Sequence, residues 1–354
     1  MSQTHQEEGR DRFVGLACIL LTLAGWTIVP LLIKMFTDDV DPWTSNGWRY
    51  GFAALLWAPL VVVKLARGRL PVGLFRAALV PGLINAAAQV VFTMSFYKID
   101  PGLVTFGLRV QIVAVTIGAA IMFPSERRVI RSPLFLLGVL LVIGGTLVTT
   151  AQSIGRGGED GVAVDRTQQI IGILCAMGAG GGYAAYALAV RRCMSGFGAM
   201  ESFAAISQYT AVAMIVLMLI LGERSGLTAL DMPAPRFGLF LLSAAIGIAA
   251  GHVLYYWSIG RLGVAVSTGV VQLQPFTVGV LSVVAFGERL AISQWFSGSI
   301  AVIGAIVMLV VQQTMRQRAP DTNTVEDGDD AFEEFPPDAV AAMATDDHDA
   351  RAAS

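Results

Sequence analysis

Two arginines stand where a chain of this composition has least use for a charge. Arg109 lies in an apolar run of membrane length, Asp100–Arg128, eight residues past Pro101 and so about 12 Å into it at 1.5 Å per residue. Arg49 lies six residues past Trp43, about 9 Å into another such run. A central guanidinium in hydrocarbon costs roughly 2.5–3.5 kcal/mol on insertion scales, and no Asp or Glu lies deep in any apolar run to offset it. Arg109 therefore fits a carboxylate or phosphate held through paired N–H bonds. Binding to helix-end carbonyls, or reaching the surface through a wet cavity, is the alternative. For Arg49 the expected roles are snorkelling to headgroups or closing an outer gate with Asp38–Asp41, with substrate contact behind them.

The uncharged polar residues of the apolar runs extend this set. Asn85, Gln89 and Thr93 recur every fourth residue, which puts them on one helical stripe that serves as interhelical glue or as cavity lining. Gln111 follows Arg109, and Gln272, Gln274 and Pro275 occupy the middle of Gly263–Leu290. There the proline frees a carbonyl and bends the helix, a feature tolerated where it faces protein or a wet cavity. His252, one turn before Tyr256, is the only side chain in the runs that titrates near neutral pH. It is either a structural donor or the proton-coupling group. Trp26, Tyr183 and Tyr186 could stack on a substrate or fill the core. Gly178-Ala-Gly-Gly-Gly182 permits close helix contact or acts as a hinge.

With 55% hydrophobic and 14% charged residues and a mean hydropathy of +0.66, the chain reads as a polytopic membrane protein; soluble domains carry about a quarter charged residues. A net charge of −2 argues against a nucleic-acid partner. Cys18, Cys175 and Cys193 fall in or beside apolar runs, and no Cys/His cluster has zinc spacing, so no disulfide, metal or cofactor is expected. No glycine-rich nucleotide loop points to ATP-driven transport by this chain.

Runs of about 20 residues suit a hydrocarbon core of about 30 Å. They fall at 13–36, 44–66, 75–97, 101–123 and 133–151, then at 168–192, 198–221, 236–259, 263–286 and 291–314. The first is too long for a signal-peptide core and reads as a retained helix. Residues 1–12 form a polar tail, 152–167 a polar linker, and 315–354 an acidic tail with the composition of disorder. The expected fold is therefore all-α, with ten transmembrane helices.

Sister segments suggest a duplication. Setting Glu126 on Glu288 places Arg109 opposite Val271, one residue from Gln272. A shift of 157 residues sets Gly15-Leu-Ala-Cys18 on Gly172-Ile-Leu-Cys175 and Gly25-Trp26 on Gly182-Tyr183. Residues 13–151 and 168–314 thus read as two five-helix units, and an odd number of spans per unit makes the repeat inverted. Glu126 and Glu288 then close opposite faces of the membrane as helix-end or gate ion pairs. Basic residues such as Arg10, Arg12, Lys64, Arg67, Arg69, Arg191 and Arg192 share one side, and Asp38, Asp39, Asp41, Glu159 and Asp160 the other. That bias puts both termini in the cytoplasm.

The two spans closed by Glu-Arg, Gly25-Trp26…Lys34 and Arg49 together resemble the drug/metabolite transporter superfamily, in its ten-helix EamA-type branch, over residues 13–314. The resemblance implies a central cavity lined mainly by the first, third, fourth, sixth, eighth and ninth helices. It also implies alternating access and transport of small metabolites, often amino acids. The chain departs from the family pattern at Arg109, where an apolar or small residue is usual. The expected function is a bacterial inner-membrane secondary carrier of a small anionic or zwitterionic metabolite, with the bilayer and that small molecule as partners. Its carboxylate would meet Arg109, while Gln272, Gln274, Asn85 and Gln89 bond its polar parts. Proton-coupled efflux of cationic drugs is the alternative, against which the first span offers no acid. A membrane enzyme would need a nucleophile with its base, or a metal set, and a sensor a soluble output domain; neither is present in the sequence. A homodimer through the fifth or tenth helix stays open.

Overall fold

The computed structural model describes residues 2–123, 127–154, 165–287 and 290–317, with side chains at all of these except 2–11, 128, 264, 265, 316 and 317. Ten of its helices are long and apolar enough to cross a membrane. They are α1 (Ser2–Met35), α2 (Pro42–Ala66), α3 (Leu74–Phe96), α4 (Pro101–Met122), α5 (Pro133–Ala151), α6 (Arg166–Cys193), α7 (Ala199–Leu221), α8 (Ala234–Leu262), α9 (Val264–Val271 with Gln274–Phe286) and α10 (Ile292–Gln317). No strand occurs among the described residues. The protein is an all-α, multi-pass integral membrane protein.

The helix ends lie within three residues of the hydropathy boundaries, with one exception. Residues 2–12, expected as a tail, continue α1 back from its apolar part at Arg12. Gln, Glu and Arg dominate that stretch and no proline interrupts it, so the helix extends through it. Most of the expected linker and acidic tail lies outside the described residues.

The usual distribution of polarity is turned outward. Leu55, Ile121, Val284 and Phe296 are exposed on the outer surface of the bundle, whereas many Ala, Ser and Thr side chains are buried beside Phe96, Phe106 and Phe240. Many hydroxyls satisfy themselves on the preceding turn, as Thr22 does on the Cys18 carbonyl and Thr116 on that of Ile112. Small residues let helices approach closely: a Cβ on Gly145 would come within 2.6 Å of the Ala301 nitrogen and the Ser297 carbonyl oxygen. That contact joins α5 to α10, and a 2.7 Å bond between the Thr149 and Ser297 hydroxyls reinforces it. Elsewhere α3 packs on α6, α1 on α8 and α2 on α7.

Three spans depart from a regular α-helix. In α4 the turn at Leu108–Arg109 tightens, with Arg109 N–H bonding to Phe106 O and Gln111 N–H to Leu108 O. The same tightening marks α9, where Gln272 N–H reaches Gly269 O and Leu273 N–H reaches Val270 O. Pro275 accounts for the second break, since it offers no N–H to the Val271 carbonyl. In α8, residues Ala245–Ala250 form a wide π turn.

Candidate functional site

Each irregular turn releases backbone groups, and the polar residues singled out by type meet at those groups. The tightened turn of α4 leaves the Thr105 carbonyl without the Arg109 N–H, and the Arg109 side chain takes it back through Nε at 3.2 Å. The remaining two arms of the guanidinium cross to the break in α9. Nη1 donates to Gln272 Oε1 at 2.6 Å and Nη2 to Gln274 Oε1 at 3.1 Å. Gln274 Nε2 then donates at 2.8 Å to the Trp26 carbonyl. That carbonyl is open because its helical donor would be residue 30, a proline. One side chain thus fastens the two broken spans to each other and, through Gln274, to α1.

This corrects the expected layout around Arg109. Gln272 and Gln274 do not present open amides; they are turned onto the arginine. All three guanidinium nitrogens are engaged, and Arg109 and Gln272 are both buried. Their partners are neutral, so the positive charge itself stays uncompensated.

The second arginine also sits differently from expectation. Arg49 is 3% exposed and neither snorkels nor pairs with Asp38–Asp41. Its Nε donates to Ser243 Oγ of α8 at 3.0 Å. Its Nη groups make no hydrogen bond among the described residues. The carboxylate of Asp39 is instead held by Arg236 in the first turn of α8, in a two-pronged contact of 3.0 and 2.6 Å. Arg236 lies nearer the membrane edge and reaches the acid without desolvation, which is why it outcompetes Arg49. Close to Arg49 the surroundings are aromatic and neutral. The phenols of Tyr50, Tyr183 and Tyr97 lie near enough to feel its charge. Tyr97, just past the end of α3, donates its hydroxyl to the Val40 carbonyl at 2.5 Å. Burial first, and then the charge of Asp41, push that phenol above its ordinary range, so it stays a donor.

The stripe on α3 divides. Asn85 donates to Thr210 of α7 at 3.1 Å, and Thr93 donates to Asn46 of α2 at 2.7 Å. These two are interhelical bonds, away from the Arg109 cluster. Gln89 and Gln111 are half-buried, and their side chains make no hydrogen bond among the described residues. The π turn of α8 opens two carbonyls: Trp26 Nε1 donates to Gly247 O at 3.2 Å, and His252 Nδ1 lies 3.0 Å from Ile248 O. A carbonyl only accepts, so this contact puts the proton on Nδ1. The ring stacks on Phe203 with centroids 4.6 Å apart and meets the Trp26 edge at 5.5 Å. Tyr256 completes that aromatic group, while Tyr183 packs on Phe92 of α3.

The glycines of α6 serve close approach. A Cβ on Gly182 would stand 2.8 Å from that of Ala88, and one on Gly180 would stand 3.0 Å from the Leu108 carbonyl oxygen, directly over the break in α4. Gly178 meets only Val91, at 3.5 Å. Glu126 and Glu288 lie outside the described residues. Among the described residues, Lys64 pairs with Glu201 between α2 and α7 at one end of the bundle, opposite the Asp39–Arg236 pair. Asn46, Tyr50 and Ser243 are the residues that sequence reasoning passed over. Asn46 and Tyr50 carried a signal, as they flank Arg49 within one turn.

Residues 170–310 match the model of the EamA-like transporter family. Together with its ten membrane-length helices, this match makes the chain similar to EamA-type transporters of the drug/metabolite superfamily. No curated protein matches it. Among solved structures, one described only as the crystal structure of a protein aligns over 87% of this chain and 99% of its own length. The TM-score is 0.52 at 18% identity, a likeness of fold alone.

Proposed function

We propose that this protein is a secondary carrier of a small metabolite bearing an anionic group, working by alternating access. The observation that carries the reading is the pair of buried arginines with only neutral partners. Inside a membrane such charges are retained where they meet substrates or ions, and two of them repel a cation. For the same reason efflux of cationic drugs fits less well, and among the described residues no carboxylate pairs with the His252 ring to extend a proton relay.

Alternating access rests on an inverted repeat, which two features support. The tight turns of α4 and α9 fall at sister positions. Packing partners exchange as a twofold axis requires, α3 with α6 against α8 with α1. Insertion in the inner membrane with both termini cytoplasmic follows the distribution of basic residues. A cysteine at Val72, which is 98% exposed between α2 and α3, would then escape an impermeant maleimide in intact cells, while one at Leu227, between α7 and α8, would react.

The test of function is flux into proteoliposomes of radiolabelled organic acids, zwitterionic amino acids and, as counter-examples, cationic amines. Saturable flux of acids or zwitterions competed by neither amines nor neutral amides is expected. Flux of amines alone would overturn the reading.

A further inference from the structure

The uncompensated charge at Arg49 has a second feature beside it. Asn46 lies one turn earlier on α2, on the same side of the helix. Its Oδ1 accepts from Thr93, but its Nδ2 is buried with no hydrogen-bond partner. A buried amide donor left unpaired is costly, so an orphan beside a half-used guanidinium calls for an acceptor. Arg49 commits one of five N–H donors, to Ser243. The hydroxyls of Tyr50 and Tyr183 face the same charge and make no hydrogen bond among the described residues. This group has donors in excess and one positive charge.

Resting on the carrier reading above, we propose that Arg49, with Asn46, Tyr50 and Tyr183, forms the anion subsite of the transported molecule, and that its ligand is a monocarboxylate or the carboxylate end of a zwitterion. One guanidinium balances one negative charge, and its planar fork matches the two oxygens of a carboxylate. Among the described residues no second cation acts on Arg49 to help meet a phosphate dianion. Arg109 fits this role less well because three of its five N–H donors, one on each nitrogen, are committed to Thr105, Gln272 and Gln274. Its part is to hold α4 and α9 in register, whereas Arg49 keeps its fork open.

The experiment is ligand-dependent melting of the full chain in nanodiscs. The probes are acetate, benzoate and leucine, set against acetamide, benzamide and inorganic phosphate. A carboxylate that binds raises the melting temperature in proportion to ln(1 + [L]/Kd). At least one carboxylate should stabilise the wild type while its amide and phosphate do not. Arg49→Gln should weaken that carboxylate at least tenfold, Arg49→Lys less, and Arg109→Gln by under threefold at a lower starting melting temperature. Full retention in Arg49→Gln, or loss confined to Arg109→Gln, would overturn the site and leave the carrier reading standing. Absence of any carboxylate effect on the wild type, in melting and in flux, would sink the anion-carrier reading itself. Should Arg49→Gln fail to fold, Asn46→Ala and Tyr50→Phe decide, since unchanged affinity in both also overturns the site.

Discussion

At the scale of single residues, the bonds of Arg109 make a prediction that does not depend on substrate. Gln272→Leu removes the acceptor of Nη1 and leaves a buried, charged N–H without a partner. The expected loss is about 1–3 kcal/mol, more than the small change in packing would produce. Adding Arg109→Met to that background should cost less than it does in the wild type, because the charge removed is already stranded. A coupling of about 0.5–3 kcal/mol is expected from a double-mutant cycle read by denaturant unfolding in bicelles. Strict additivity would mean that the two side chains do not depend on each other. The arginine was conspicuous in the sequence because a charge stands out in an apolar run. Its partners were not, since any of the four amides Asn85, Gln89, Gln272 and Gln274 in α3 and α9 could have met it. Gln274 is anchored toward it by the carbonyl that a proline in α1 frees at Trp26, an effect that shows only in three dimensions. Arg49 was misjudged for a related reason. Depth along a helix tells how far a residue lies from the edge, but not that Arg236 from another helix takes the nearby acid first.

At the scale of elements, the two uses of the α6 glycines separate cleanly. A Cβ on Gly180 would press on the Leu108 carbonyl and the Gln111 nitrogen, while one on Gly181 meets nothing within 4 Å. Gly180→Ala should therefore destabilise by about 1–3 kcal/mol through overpacking. Gly181→Ala should be neutral or stabilising by up to about 1 kcal/mol, as glycine is the poorer helix former. Melting curves check the pair. A hinge would show itself in flux instead, with Gly181→Ala leaving stability alone and slowing transport. The helices themselves were legible to within a few residues, because apolar length is set directly by the bilayer. The tight turns in α4 and α9 were not, since their dihedrals stay in the right-handed helical region and leave hydropathy unchanged. Only Pro275 announced one of them. The break in α4, lacking a proline, shows itself through the glycine packed over it.

At the scale of the whole molecule, ion pairs close both ends of the bundle in this structure. Asp39 and Arg236 join the end of α1 to the start of α8, and Lys64 with Glu201 joins α2 to α7 at the opposite end. All four side chains are partly exposed, so each pair contributes about 0.2–1 kcal/mol. That is small against folding, but it acts on an equilibrium between two open forms that alternating access makes nearly balanced. Removing one latch should tilt the balance by at most about fivefold, tenfold being 1.4 kcal/mol. A cysteine at half-buried Gln89, in a background free of Cys18, Cys175 and Cys193, reports this through an impermeant thiol reagent supplied at the Asp39 end. Asp39→Asn should raise the labelling rate two- to fivefold, because that end opens more often. Lys64→Gln should lower it by a similar factor, because the protein then spends more time open at the other end. Opposite signs follow only if opening one end requires closing the other. Two rates that rise together would mean that the latches merely hold the bundle tight, and the rocking of one five-helix unit on the other would lose its footing.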